Sequence, residues 1–180
     1  MNESTNRKSR SAAAWPALAL ALTAAASADA RAGDCAEVIT ALKATAKTPY
    51  NSTATGTDAR GQVFAVHTVQ MPDAKYVERS GKWYRLDIGS KELIDNLDEK
   101  LKTAKMDCSR AGSDTLDGRA ASVYTEREES EGAVITAKLW VSSQNLLLKA
   151  ESDIAGRHTV STYDYENVKA PAGAVQMGGR

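Results

Sequence analysis

Between Ala133 and Val168 the chain alternates apolar and polar residues with a period of two through three consecutive segments. In the first, Ile135, Ala137, Leu139 and Val141 take one side and Val134, Thr136, Lys138 and Trp140 the other. That pattern predicts a strand with one aliphatic and one wettable face. The second, LLLKAESDI, alternates Leu146, Leu148 and Ala150 against Leu147, Lys149 and Glu151, and the third is RHTVSTYDYENV. A hairpin loop at Ser142 to Asn145 would set Leu139 opposite Leu148 and Ala137 opposite Ala150. It would also set Lys138 against Lys149, a modest repulsion that Glu151 relieves diagonally.

Earlier in the chain the period changes to that of helices. Val38, Ile39, Leu42 and Thr45 share one face of a helix that Asp34 and Glu37 would open as a capping box and Pro49 would end. Leu93, Ile94, Leu97, Leu101 and Ala104 form a cleaner stripe on a second helix, Ser90 to Ala104, with Lys91, Asp95, Asp98, Glu99 and Lys102 opposite. Four strands are predicted between the helices. They are YNSTATGT, Gln62 to Met71, and a hairpin of Ala74–Arg79 and Lys82–Asp87 around Ser80-Gly81. Met106 to Leu116 reads as irregular, and after the turn signal Asp117-Gly118 a strand runs from Arg119 to Glu128, with Val123 on its apolar side. The order is helix, four strands, helix, four strands, which predicts an antiparallel α+β fold with the helix stripes against the aliphatic sheet face.

Residues 1–30 stand apart. Arg7, Lys8 and Arg10 precede a short apolar run from Ala12 to Ala26, and Ala28-Asp29-Ala30 fits a small-x-small cleavage site. The segment reads as a secretory signal peptide, too short for a comfortable membrane span, and predicts export to the periplasm. Asp34 before Cys35 does not make a lipoprotein box. The expected organisation is residues 1–30 as signal peptide, 31–171 as one domain, and 172–180 as a flexible, Gly- and Ala-rich tail. The whole chain has 23 basic and 23 acidic residues, and loss of the signal peptide leaves it within one charge of neutral. Near-neutrality argues against nucleic acid as a partner. The only cysteines, Cys35 and Cys108, predict one disulfide in an exported protein.

No catalytic constellation stands out. There is no Gly-x-Ser-x-Gly elbow, phosphate-binding glycine loop or His-Glu-x-x-His sequence. His67 and His158 fall in separate predicted strands with no third ligand at a telling spacing. Glu126, Glu128, Glu129 and Glu131 crowd a hairpin tip, where charge usually just solvates. The expectation is a non-enzyme without metal or cofactor. Read from residues alone, the aliphatic sheet face and helix stripes either close into a dry core or leave a cavity.

Lys-Leu-Trp-Val at 138–141, a polar turn and Leu-Leu-Leu-Lys at 146–149 resemble the strand–turn–strand of the LolA/LolB-like superfamily of bacterial lipoprotein carriers and receptors. Tyr163 to Pro171 is similar to that family's last strand, and Arg-Ser-Gly-Lys-Trp-Tyr at 79–84 to its early hairpin. The carriers usually have Asp after the Trp-Val and Leu-Pro after the turn, where Ser142 and Leu146-Leu147 stand. The resemblance implies a strongly curved antiparallel sheet, an incomplete β-barrel, with helices covering its concave face. It implies an apolar ligand site between helix lid and sheet. Its lining would be Val123, Ile135, Ala137, Leu139 and Leu148 from the sheet and Leu93 and Leu97 from the lid, with Phe64, Val66 and Tyr84 beside them. The function so implied is a periplasmic, non-catalytic and monomeric binder or carrier of a lipid-like or lipoprotein acyl ligand. The alternative is a protein-interaction or envelope-stress sensor module on the same scaffold, partnered by an envelope protein.

Overall fold

The computed structural model describes residues 29–58, 60–130 and 132–177. Most of the expected signal peptide lies outside them. No helix among the described residues is long and apolar enough to cross a membrane.

Helix α1 spans Asp29–Lys47, followed by β1 (Tyr50–Thr57), β2 (Val63–Gln70), β3 (Lys75–Arg79) and β4 (Lys82–Leu86). Helix α2 (Ser90–Leu101) separates these from β5 (Lys105–Leu116), β6 (Arg119–Ser130), β7 (Ala133–Ser142), β8 (Leu147–Ile154), β9 (Arg157–Asp164) and β10 (Val175–Gln176). The strands form a single open sheet in the order β10-β4-β3-β2-β1-β9-β8-β7-β6-β5. Every neighbouring pair is antiparallel except β10 with β4. The helix–strand order predicted from periodicity is therefore present, with two strands added.

The first addition is β5, in the segment expected to be irregular. Its alternation is broken by a bulge between Arg110 and Gly112, where Gly112 adopts a positive φ of 134°. The bulge hides the period from a sequence reading, yet β5 pairs with β6 along its length. The second is β10, in the expected tail, where Met177 N–H donates to Arg85 O at 2.8 Å. The Asp117-Gly118 and Ser80-Gly81 turns form as expected, with all four residues at positive φ.

The register of β7 with β8 differs from expectation by two residues. Leu139 faces Ala150 and Ala137 faces Ser152, with a bulge where Trp140 pairs Lys149 and Val141 pairs Leu147. The Ser142 hydroxyl accepts from Leu146 N–H at 3.1 Å, and Ser142 N–H donates to Leu146 O at 2.8 Å, so the loop is one residue shorter than expected and the bulge supplies the rest of the shift. The anticipated Lys138–Lys149 repulsion disappears: Lys138 faces Glu151, and Lys149 bridges to Glu151 at 2.6 Å.

The two helices seat differently. α1 packs on β5, with further contacts to β6, β8 and α2. Val38 and Ala41 lie fully buried against Cys108, Tyr124, Leu139, Val141 and Leu147. The expected Cys35–Cys108 disulfide ties helix to strand across 73 residues, worth about 4 kcal/mol in the chain-entropy account. The expected capping box does not form, because the helix begins before Asp34. The Asp34 carboxylate instead accepts Arg110 N–H at 2.9 Å, and Glu37 accepts the Tyr124 hydroxyl proton.

Candidate functional site

Strand pairing defines two sheet faces. Reading across the registers, Tyr84, Val77, Phe64, Val66, Ala54, Ala150, Leu139, Ala137 and Ile135 share the face that carries the helices. Six of the eight sheet residues expected to line a ligand site are in this set: Phe64, Val66, Tyr84, Ile135, Ala137 and Leu139. Val123 and Leu148 are on the opposite face, packed with Ala121 and Trp140. Ser130 pairs Ala133 at the hairpin tip, which sets Val123 opposite Trp140, and the β8 bulge turns Leu148 away. Leu139 itself is only 4% exposed beneath α1 and belongs to the core.

Phe64 keeps its place on this face through Gly56, its cross-strand partner. A Cβ at Gly56 would stand 2.5 Å from His158 O and 3.0 Å from the Phe64 ring. Only glycine lets the ring lie across β1 and the β9 backbone approach so closely.

α2 is tied to the rest of the chain at its two ends. Its start is fixed at the β2–β3 connection, where Ser90 N–H donates to Pro72 O at 2.9 Å. A Cβ on the preceding Gly89 would sit 2.6 Å from that same oxygen. Gln70, fully buried, donates to Met71 O and Ile88 O and so braces the approach. Its far end is held by two ion pairs, Lys43–Asp98 at 2.5 Å to α1 and Lys100–Glu128 at 2.8 Å to β6. Between these anchors Leu93, Ile94, Leu97 and Leu101 are half-buried, and no residue of the helix is buried. Phe64, Val66, Tyr84, Ile135 and Ala137 are likewise half-buried.

Beneath the far end of α2 lie two carboxylates that sequence reasoning assigned to solvent. Glu126 and Glu128 share the helix-bearing face of β6, paired with Cys108 and Ala137, and with Met106 and Ile135. Glu128 is 6% exposed; Lys100 satisfies its Oε2, while Oε1 is buried without a partner among the described residues. Burial, then the neighbouring Glu128, pushes the Glu126 carboxyl above the usual range, with Lys100 opposing. The even spacing of Glu126 and Glu128 with Tyr124 was the available signal: all three had to share one face.

Away from the cluster of Val123, Trp140 and Leu148, the opposite face carries polar and charged side chains. A concavity of about 420 Å³ there is lined by Asp107, Arg127, Lys138, Glu151, Asp153 and His158 among others. Within it His158 Nδ1 lies 3.1 Å from Asp153, while Arg127 bridges to Glu129 and Glu151 to Lys149. His67 Nδ1 lies 3.1 Å from Thr53 Oγ1. Lys138 and Lys149 stack over Trp140, whose indole N–H donates to Asp114 at 2.9 Å. That bond, with Thr115 N–H and the two lysines, holds the Asp114 carboxyl below its usual range. No group of three or more His, Cys, Asp or Glu side chains among the described residues is arranged to hold a metal ion.

No family model and no curated protein matches the sequence. Solved structures with a similar course of chain include LprF from Mycobacterium bovis, at 11% identity and a TM-score of 0.48 over 81% of this chain and 99% of that one. Lipoprotein LppX from Mycobacterium tuberculosis is similar at 14% identity and a TM-score of 0.45, over 81% of this chain and 100% of that one. MucB is similar at 10% identity and a TM-score of 0.42, over 78% of this chain and 64% of that one.

Proposed function

We propose that this chain is an exported, non-catalytic binder or carrier of a lipid-like ligand whose acyl chain lies between α2 and the helix-bearing sheet face. The observation that carries this reading is an amphipathic helix anchored at both ends with its apolar stripe unburied. A helix sealing a fixed core buries such a stripe; one that shares its stripe with a removable ligand leaves it half open. Ile135, Ala137, Phe64, Val66 and Tyr84 supply the opposing surface, with Leu93 and Leu97 on the lid. Transfer of acyl methylenes from water supplies about 0.8 kcal/mol for each one buried, so no catalytic group is required.

Curvature belongs to the same proposal. In a flat sheet β2 and β6 are five strand spacings apart, about 24 Å. The anchor points also lie at opposite ends of their strands, which lengthens that path. The 12 residues of α2 reach about 18 Å. A sheet curled toward α2, the incomplete barrel of the LolA/LolB-like superfamily, brings the two within its span. Cleavage of residues 1–30, a periplasmic location and a monomeric state complete the reading.

The test is binding of the uncharged fluorophore N-phenyl-1-naphthylamine, with mass spectrometry of organic extracts from the purified protein. Saturable binding that Leu97→Glu abolishes without loss of fold is the expected result. Absence of probe binding and of extractable lipid, with recovery of a defined envelope protein in a pull-down, would favour the interaction or sensor module instead.

A further inference from the structure

The C-terminal end of α2 meets the sheet at a charged spot: Lys100 bridges to Glu128, and Glu126 takes the adjacent same-face position of β6. Two carboxylates share one ammonium there, so the cluster is one positive charge short. Among the described residues one Glu128 oxygen has no hydrogen-bond donor although it is buried. A buried carboxylate oxygen without a donor is strongly disfavoured, and the group that meets it must bring an N–H or O–H. The cross-strand neighbours of the pair are apolar: Ile135 and Met106 beside Glu128, and Ala137 beside Glu126.

We infer that the ligand is an amphiphile with a cationic, hydrogen-bond-donating head group of the primary-ammonium type. The head seats on the Glu126–Glu128 pair and the chain runs along Ile135 beneath α2. This rests on the carrier reading above and adds the head-group chemistry to it. An ammonium supplies both missing elements at once, a charge and a donor, in charge-assisted hydrogen bonds that gain strength away from water. A fatty carboxylate or a phosphate would meet two carboxylates and be repelled. Burial and Glu128 raise the affinity of Glu126 for protons, the direction expected of a carboxylate pair short of a cation. The groups facing Glu126 are Lys100 from α2 and Glu128 on its own strand. Its β5 and β7 partners, the disulfide-bonded Cys108 and Ala137, do not titrate.

The experiment is displacement of N-phenyl-1-naphthylamine at neutral pH by amphiphiles of one chain length: dodecylamine, dodecyltrimethylammonium, dodecanol and laurate. Dodecylamine should displace the probe at about tenfold lower concentration than laurate, with dodecanol and the donor-free trimethylammonium between them. Glu128→Gln should bring dodecylamine and laurate within about twofold while dodecanol is unchanged. Should Glu128→Gln fail to fold, Glu126→Gln takes its place with the same expectation. Laurate displacing as well as dodecylamine, or a preference that survives in both variants, overturns the head-group assignment and leaves the carrier reading intact. Failure of the wild-type protein to bind the fluorophore overturns both.

Discussion

The two helices of this chain contrast in a way that neither sequence announces. α1 has a weak apolar stripe, rich in alanine and threonine, yet it buries Val38, Ala41 and Thr45 against the sheet. α2 has the cleaner amphipathic pattern and buries nothing. Small side chains let α1 approach the sheet closely, and a disulfide plus bonds from Asp34, Glu37 and Thr45 hold it there. α2 is instead held at its two ends, and its leucines and isoleucine stay half-buried. Amphipathicity tells which side of a helix turns from water, not whether anything permanent covers it.

The contrast can be broken first at the disulfide. Cys108→Ser should lower unfolding stability by about 4 kcal/mol, read from chemical denaturation. A loss below about 1 kcal/mol would mean that α1 needs no tether. Next comes truncation under each helix. Leu139→Ala, beneath α1, should cost about 3 kcal/mol, because it opens a cavity in a closed cluster. Leu97→Ala on α2 should cost about 1 kcal/mol or less, because the side chain is still partly wet. Equal costs would erase the distinction between core and lid.

The smallest effect is a pH dependence. The fold raises the proton affinity of Glu126, so this group's stabilising contribution is full below the ordinary carboxylate range and is lost as pH rises through the raised value. Glu126→Gln, permanently neutral, should therefore be more stable than wild type at neutral pH by less than about 1 kcal/mol. The gap should close in acid, and thermal melts across the pH range would show it. A variant less stable than wild type at neutral pH would contradict the sign.

Much of this architecture was legible in the sequence. The period-two segments, the α2 stripe, the Asp117-Gly118 turn and the paired cysteines each carried a local signal, and each has its counterpart in the structure. What was not legible depends on single-residue events. The bulge after Arg110 disguised β5, and the one at Leu147–Lys149 sent Leu148 to the Trp140 face. Val123 went with it because the hairpin tip, not the strand pattern, sets which β6 residues face Trp140. Glu126 and Glu128 were read as solvated because charge near a tip usually is. Glu128 instead meets Lys100 of α2, a helix itself tied to Pro72 and Lys43, partners far away in sequence.

In the proposed reading α2 closes over exchangeable contents while α1 closes over a fixed core. Amide hydrogen exchange of both helices, with and without saturating N-phenyl-1-naphthylamine, tests it most directly. α2 should exchange through local opening well before α1, and the probe should slow α2 while leaving α1 unchanged. Equal protection of the two helices, unaffected by the probe, would contradict it.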